Sequence, residues 1–178
     1  ASLLNNGEAC IAHTRILAPR ARYDEFVEAV GAMVKGLQVG DPTDPDTYIG
    51  PMVRPDQQDR VRDYIRLGVE EGARIVTGGP DVPAGLESGN YVTPTVFADV
   101  DNSMRIAQEE IFGPVLVVIP YDDEDDAVRI ANDSEYGLSG GVWSTDDDHA
   151  VDVARRIRTG TVGVNGRPSS FDGPFGGF

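Results

Sequence analysis

Apolar side chains recur at every third or fourth position in two stretches of the chain, and this spacing predicts two long amphipathic helices. The first stretch runs from Tyr23 to Leu37 and ends before Gly40. The second begins near Pro55, a residue suited to the first turn of a helix, and continues to Gly72. The inward-facing positions predicted for this second helix are Val61, Tyr64, Ile65 and Val69.

Short runs of apolar and β-branched residues alternate with the helical stretches and predict strands. These runs are Thr14–Ala18, Arg74–Thr77, Tyr91–Val100, Val115–Ile119, Gly140–Ser144 and Thr161–Asn165. Pro94 lies inside one of them and indicates either an edge strand or a break. Val115–Ile119 is continuously apolar, as expected for a strand buried on both faces. The alternation of strands and helices predicts an α/β fold with a mostly parallel sheet flanked by helices.

Two acidic runs, Asp122–Asp126 and Asp146–Asp148, precede helical stretches in the second half of the chain. Such a density of carboxylates has two interpretations. One is a metal site, and the other is a helix N-terminus, where the helix dipole stabilises negative charge. We favour the helix N-terminus for both runs and predict no metal centre.

Composition and charge exclude several classes of partner. The 178 residues carry a net charge of −15, which argues against binding to nucleic acids or anionic membranes, since both attract positive charge. No apolar run approaches the ~20 residues of a membrane-spanning helix. Arginines cluster in stretches such as Arg60-Arg62-Arg66, which we interpret as solvated ion pairs. The single cysteine excludes an internal disulfide and fits a reducing compartment, so we predict a cytoplasmic protein.

Cys10 follows a glycine at Gly7 and is a candidate nucleophile. A thiol reacts as its thiolate, which N–H groups at the start of a helical turn stabilise. Gly7 would let the backbone turn so that Cys10 meets such N–H groups, and these would also stabilise an oxyanion. The alternative is a small buried hydrophobic residue, which the pattern alone favours. A Cys10–His13 dyad is not favoured, because Cys–His pairs usually combine residues that are distant in sequence.

Glu110 and Phe112 flank Ile111 before a Gly-Pro turn, so an extended backbone would place both side chains on one side. A carboxylate can accept hydrogen bonds from both hydroxyl groups of a ribose. A phenyl ring beside it could pack on a nicotinamide. The alternative is a helix end with one phenylalanine in the core, and the pattern alone favours that alternative.

Short motifs occur in an order that is typical of one enzyme family. Asn6–Cys10, followed by Ala12 and Thr14-Arg15, resembles the active-site cysteine segment of the NAD(P)-dependent aldehyde dehydrogenases, and Glu109–Val115 resembles a second specific segment of that family. The other matching motifs are Tyr23–Val27, Val39–Pro42, Gly50-Pro51, Pro94–Phe97, Ala131-Asn132, Tyr136–Leu138, Gly160–Val162, Val164-Asn165 and Pro174–Gly177. The resemblance covers essentially the whole chain and implies the fold of that family's catalytic domain.

By this resemblance, Cys10 would attack the aldehyde, and its backbone N–H would form half of an oxyanion hole. Hydride transfer to the nicotinamide would leave a thioester on the cysteine, which water would hydrolyse to the carboxylic acid. Glu110 would hold the nicotinamide ribose of NAD, and Phe112 would contact the nicotinamide, with NADP as the alternative cofactor. The residues that would line the path of the small-molecule aldehyde are Ala9, Ile11 and Phe175.

The resemblance also implies that residues 1–178 are the C-terminal catalytic domain of a longer protein. The cofactor-binding domain, the general base, the second oxyanion donor and the oligomerisation elements would then lie outside this chain. We therefore expect the isolated chain to be inactive, and the complete protein to be a homodimer or a homotetramer.

Two other functions are weighed against this one. A related aldehyde dehydrogenase could release its thioester to coenzyme A instead of water. A truncated homologue could act as a non-catalytic interaction module. The presence of Cys10, Glu110 and Phe112 together argues against the module, because a module has no use for a thiol and a ribose-binding carboxylate.

Overall fold

The computed structural model describes residues 2–166 and 173–178, and the chain divides into two compact units, Ala1–Pro120 and Tyr121–Phe178. The elements of the first unit are β1 (Arg15–Pro19), α1 (Tyr23–Lys35), α2 (Pro55–Glu70), β2 (Arg74–Thr77), β3 (Thr95–Ala98), α3 (Arg105–Gln108) and β4 (Val115–Tyr121), which ends at the boundary. Those of the second unit are α4 (Glu124–Asn132), β5 (Ser139–Val142), α5 (Asp147–Ala154) and β6 (Thr161–Val164).

A four-stranded sheet in the order β1-β4-β3-β2 forms the centre of the first unit. β3 and β4 are parallel, with Thr95 opposite Val115, whereas β2 runs antiparallel to β3. Residues Val115–Ile119 of β4 are buried along their whole length, as the apolar run predicted. β3 begins directly after Pro94 and lies inside the sheet, so Pro94 marks a break and not an edge strand. The predicted α/β fold is confirmed.

Helices cover both faces of this sheet. α1 contributes Val27 and Val34 to a hydrophobic cluster that includes Val96 of β3. Phe97 follows Val96 in the strand and therefore points to the opposite face. There it meets α2, where a methyl group built on Gly68 would lie 2.9 Å from Cζ of Phe97. The two helices thus hold the sheet between them, and α2 lies on the face of Phe97.

The inward face of α2 differs from the prediction at one position. Val61 and Ile65 are fully buried, whereas Val69 is 50% exposed. Gly68 takes the inward position, because only a residue without a side chain can come so close to the ring of β3. Val69 then lies roughly 100° further round the helix and faces solvent. The prediction of an inward Val69 is wrong.

The second unit contains a two-stranded parallel sheet with helices that begin at acidic caps. β5 and β6 pair from Ser139 opposite Thr161 onwards. The carboxylate of Asp123 accepts a hydrogen bond from the backbone N–H of Asp126 at 2.9 Å, which caps α4. Asp146 caps α5 in the same way, through the N–H of His149 at 3.1 Å. The interpretation of both acidic runs as helix N-termini is confirmed.

Neither a metal cluster nor a membrane span is found in the part of the chain that the structure describes. Within residues 2–166 and 173–178, no group of three or more His, Cys, Asp or Glu side chains is arranged to hold a metal ion. No helix in the same residues is long and apolar enough to cross a bilayer.

Candidate active site

The loop that carries Cys10 begins with three successive residues at positive φ. Asn5, Asn6 and Gly7 have φ angles of 50°, 59° and 74°. Glycine enters this left-handed region without steric cost, and asparagine enters it more readily than most other residues. The sequence Asn-Asn-Gly therefore suits the tight turn Leu4–Gly7 that precedes the cysteine.

Cys10 itself lies in a single turn, closed by a hydrogen bond from the N–H of Ala12 to the carbonyl of Ala9 at 2.9 Å. The sequence predicted that a helical turn would follow the cysteine. The structure has this one turn and then an extended segment, in which the carbonyl of Thr14 accepts a hydrogen bond from Val117 of β4 at 3.0 Å. The cysteine is thus held between a glycine turn and the edge of the central sheet.

The side chain of Asn6 anchors this loop to a second loop. Its Oδ1 accepts a hydrogen bond from the N–H of Gly50 at 2.8 Å, and its Nδ2 donates to the carbonyl of Pro51 at 3.2 Å. Both ends of the amide are therefore used on one short segment. Sequence analysis identified Gly50-Pro51 as a motif and Asn6 as part of another, but it did not predict that they bind each other.

The cysteine loop is in direct backbone contact with residues 109–113, which are the Glu-Ile-Phe-Gly motif and the glutamate before it and are named the Glu-Ile-Phe-Gly segment. Gly7 is buried, and a methyl group built on it would lie 2.1 Å from the carbonyl oxygen of Gly113. Gly113 in turn packs on α2, where its own methyl group would lie 2.5 Å from a methyl carbon of Val61. Two motifs that are far apart in the sequence thus meet at a pair of glycines.

The side chain of Glu109, the first residue of this segment, is held by two donors. Tyr64 of α2 donates its hydroxyl to the carboxylate at 2.6 Å, and Arg105 donates from Nε at 2.7 Å. The hydrogen bond from Arg105, followed by that from Tyr64, lowers the pKa of Glu109 to about 2. Burial and the neighbouring carboxylate raise the pKa of Tyr64, so its hydroxyl stays protonated as a donor.

Arg60 binds the next two residues of the segment through their backbone. Its guanidinium donates to the carbonyl of Glu110 at 2.6 Å and to the carbonyl of Ile111. Arg62 likewise binds a backbone carbonyl, that of Pro80, at 2.6 Å. The predicted ion pairs are present for Arg66, with Asp63 at 2.6 Å, and for Arg62, with Asp59 at 4.0 Å. The interpretation of this arginine cluster as ion pairs is therefore wrong for Arg60, whose sequence signal is the same as that of Arg66.

The predicted catalytic and cofactor residues differ in exposure. The thiol of Cys10 is free and exposed, which contradicts the alternative of a buried hydrophobic residue. Glu110 is also exposed, while Phe112 is half-buried and takes a positive φ of 59°. Ile111 between them is the residue that enters the core. The alternative in which Phe112 is a core residue at a helix end is therefore wrong, since α3 ends at Gln108.

The residues predicted to line the aldehyde path lie in both units. Ala9 is half-buried, and Ile11 is 37% exposed on the turn that carries the cysteine. Phe175 belongs to the second unit and is 74% exposed. In the first unit, one turn carries Ala9, Cys10 and Ile11. The Glu-Ile-Phe-Gly segment contacts Gly7, which precedes this turn.

Two titratable side chains near the cysteine in sequence are partly buried. Burial raises the pKa of Glu8, an effect that hydrogen bonds from the Val53 N–H and from Asn6 partly offset. Burial lowers the pKa of His13, so its imidazole is favoured in the neutral form.

Comparison with known proteins identifies the family. The model of the aldehyde dehydrogenase family matches residues 1–178. The chain is 57% identical over 176 residues to a geranial dehydrogenase of Castellaniella defragrans, and the match covers 99% of this chain and 36% of that protein. The chain therefore belongs to the aldehyde dehydrogenase family and corresponds to part of a longer relative.

Solved structures show the same fold. A Mycobacterium tuberculosis aldehyde dehydrogenase complexed with NAD+ is 54% identical, with a TM-score of 0.97, over 99% of this chain and 36% of that one. A mutant of aldehyde dehydrogenase C from Pseudomonas syringae, complexed with NAD+ and octanal, is 45% identical, with a TM-score of 0.98, over 100% of this chain and 37% of that one.

Proposed function

We propose that this chain is the catalytic domain of an enzyme that oxidises an aldehyde to a carboxylic acid with NAD+ or, alternatively, NADP+. The observation that carries the proposal is the contact between Gly7 and Gly113. It sets the loop of an exposed thiol against a segment with an exposed carboxylate and a half-buried phenyl ring. A nucleophile and a cofactor-binding group must be neighbours in an enzyme that transfers hydride from a substrate bound to its cysteine.

The residues present fit a nicotinamide cofactor. Glu110 is exposed, and among the described residues its carboxylate has no hydrogen bond or ion pair, so both oxygens are free to accept from ribose hydroxyls. The ring of Phe112, two residues further on, is half-buried and could contact the nicotinamide. The bound cofactor supplies the hydride acceptor. We propose Glu110 and Phe112 as the cofactor-binding residues of this chain.

In the proposed reaction, the Cys10 thiolate attacks the aldehyde carbon, and a carbon–sulfur bond forms while the carbonyl π electrons move to oxygen. The N–H of Cys10 supports the negative oxygen of this thiohemiacetal. Loss of hydride oxidises the carbon and leaves a thioester on Cys10. Water then adds, the carbon–sulfur bond breaks, and the carboxylic acid leaves with the thiolate restored. The base that activates this water is proposed to lie outside the chain.

The substrate is proposed to be a small, predominantly apolar aldehyde. Ala9 and Ile11 flank Cys10 with apolar side chains, and Phe175 is proposed from the family motif that contains it. The names of similar proteins agree with this chemistry, since one is a geranial dehydrogenase and another was crystallised with octanal. Ala9, Ile11 and Phe175 are accordingly the proposed substrate-contacting residues.

The complete protein is proposed to be a cytoplasmic homodimer or homotetramer with a separate cofactor-binding domain. The chain covers 36% of the geranial dehydrogenase that it resembles. We expect the isolated chain to show no turnover, because the general base and the second oxyanion donor would come from the remainder of the protein.

The test uses the full-length protein with an aliphatic aldehyde and NAD+. We expect NADH to form, and we expect acid-quenched protein to carry an acyl group on the peptide that contains Cys10. Cys10→Ser should abolish both signals, whereas Met33→Leu, on the exposed side of α1, should leave both unchanged. Aldehyde oxidation by the serine variant at the wild-type rate would refute the proposal. An acyl-CoA product after addition of coenzyme A would instead identify a CoA-acylating enzyme.

A further inference from the structure

Arg60 binds two consecutive carbonyls of the Glu-Ile-Phe-Gly segment. It donates to the carbonyl of Glu110 at 2.6 Å and to that of Ile111 from its other terminal nitrogen. A guanidinium is a planar fork whose donors point in fixed directions. Two such hydrogen bonds to neighbouring carbonyls therefore restrain the orientation of both peptide groups, and with it the direction in which the Glu110 side chain leaves the backbone.

Arg60 is itself held in position by the next turn of α2. The ring of Tyr64 lies 5.0 Å from the guanidinium carbon, a distance typical of a cation–π contact. The hydroxyl of the same tyrosine donates to Glu109, which Arg105 also binds. The segment is thus restrained at three successive residues, by its side chain at Glu109 and by its carbonyls at Glu110 and Ile111.

Arg60 binds only backbone carbonyls of the segment, so the side chains that we propose to bind the cofactor are not its partners. No residue of the described chain forms a hydrogen bond or ion pair with the Glu110 carboxylate. Phe112 follows with a φ of 59°, a left-handed conformation that surrounding contacts must maintain in a residue other than glycine. Arg60 restrains the peptide groups just before this turn, and Gly113, packed against Val61 and Gly7, restrains the residue just after it.

We propose that Arg60 is a positioning residue for the dinucleotide cofactor, which holds Glu110 and the turn at Phe112 in the conformation that receives the nicotinamide ribose. The inference rests on the function proposed above. In this role, Arg60 acts through its hydrogen bonds to the carbonyls of Glu110 and Ile111. Without Arg60, the carboxylate of Glu110 is still present but less ordered. Cofactor binding must then order this carboxylate, and the cost of that ordering lowers the affinity.

The experiment compares two arginines of the same helix in the full-length protein. Arg60→Met keeps an apolar stem and removes the fork, and Arg62→Met removes the similar hydrogen bond to Pro80 as the matched control. Titration calorimetry gives the NAD+ dissociation constant. We expect it to rise about 10-fold or more in Arg60→Met and to change less than about 2-fold in Arg62→Met. The KM for NAD+ should rise with it, while kcat at saturating NAD+ falls less.

Arg60→Lys supplies a second variant with the charge retained. A single ammonium cannot bind both carbonyls with the geometry of the fork, so we expect an NAD+ affinity between those of wild type and Arg60→Met. If Arg60→Met does not fold, weaker NAD+ binding by folded Arg60→Lys supports the inference, and wild-type affinity overturns it.

The remaining outcomes separate this inference from the proposed function. A folded Arg60→Met protein that binds NAD+ like wild type, or that loses kcat at unchanged NAD+ affinity, overturns the positioning role alone. A wild-type protein that binds no NAD+ overturns the proposed function and the role of Arg60 with it.

Discussion

Gly7 is the position where the cysteine loop touches the Glu-Ile-Phe-Gly segment, and its replacement by alanine tests whether that contact matters. Gly7 has a φ of 74°, and a methyl group there would lie 2.1 Å from the carbonyl oxygen of Gly113. Gly72→Ala is a matched control, because Gly72 has a φ of 97° with nothing within 4 Å of its methyl position. Both substitutions strain the backbone, but only Gly7→Ala also creates a clash.

The structure indicates the size of each effect. A left-handed backbone costs alanine about 1–2 kcal/mol in either variant. Ordinary contacts begin near 3.4 Å, so Gly7→Ala also forces the two segments apart by about 1.3 Å, the difference from 2.1 Å. Forced overpacking of this kind costs about 1–3 kcal/mol more. We therefore expect a loss of about 2–5 kcal/mol for Gly7→Ala and about 1–2 kcal/mol for Gly72→Ala.

The assay combines urea unfolding with aldehyde oxidation by the full-length protein. A displacement of about 1 Å between the proposed nucleophile and the proposed cofactor site should lower the rate on the order of 100-fold, so we expect Gly7→Ala to lose most of its kcat while it is still folded. Gly72→Ala should keep the wild-type kcat. The reasoning is refuted if both variants have the same stability and the same kcat, because the contact with Gly113 would then contribute to neither.

Three further predictions concern stability, each measured by urea unfolding. Asp123→Ala removes the cap of α4 and should lower the free energy of unfolding by about 1 kcal/mol, whereas Glu135→Ala, at an exposed position, should change it by less than about 0.5 kcal/mol. Gly68→Ala should destabilise by about 1–3 kcal/mol, because its methyl group would overlap the aromatic ring of β3. A stability gain would show instead that helix propensity outweighs the overlap. Glu109 has its pKa lowered from 4.5 to about 2, mainly by Arg105. Its stabilising effect should therefore be complete above pH 4.5 and disappear as the pH falls towards 2. Glu109→Gln should flatten that part of the stability profile, and an unchanged profile would contradict the assignment.

Most of the secondary structure could be predicted because its signals are local. The helical spacing in Tyr23–Leu37 corresponds to α1, and the apolar run Val115–Ile119 corresponds to the buried part of β4. The pairing of strands was harder to predict from the sequence, since the antiparallel pairing of β2 with β3 depends on contacts between segments separated by a long loop. The inward face of α2 was wrong at Val69, because helical spacing alone does not show that Gly68 must face an aromatic ring.

The candidate site was predictable in its reactive groups and not in its supports. Cys10 and Glu110 could be proposed because thiol and carboxylate chemistry can be recognised from residue type and from a family motif, and their roles stay predictions. Arg60 was assigned to solvent, because an arginine on a helix gives the same sequence signal whether it pairs with a carboxylate or with a distant backbone carbonyl. The role of Asn6 was missed for a similar reason, since its partners at Gly50 and Pro51 lie in another loop.

The supports explain why a glycine stands at position 7, where a side chain would lie between the two motifs. In the proposed reaction, the cysteine loop must approach the Glu-Ile-Phe-Gly segment closely enough for hydride transfer, yet each side must be held by its own scaffold. Asn6 ties one side to the loop at Gly50, and Arg60 ties the other side to α2. With both sides anchored, neither can move away from a larger residue, so the space between them admits only backbone. A substitution at Gly7 should therefore affect chemistry more than one at a free turn, whereas loosening Arg60 should affect cofactor binding first.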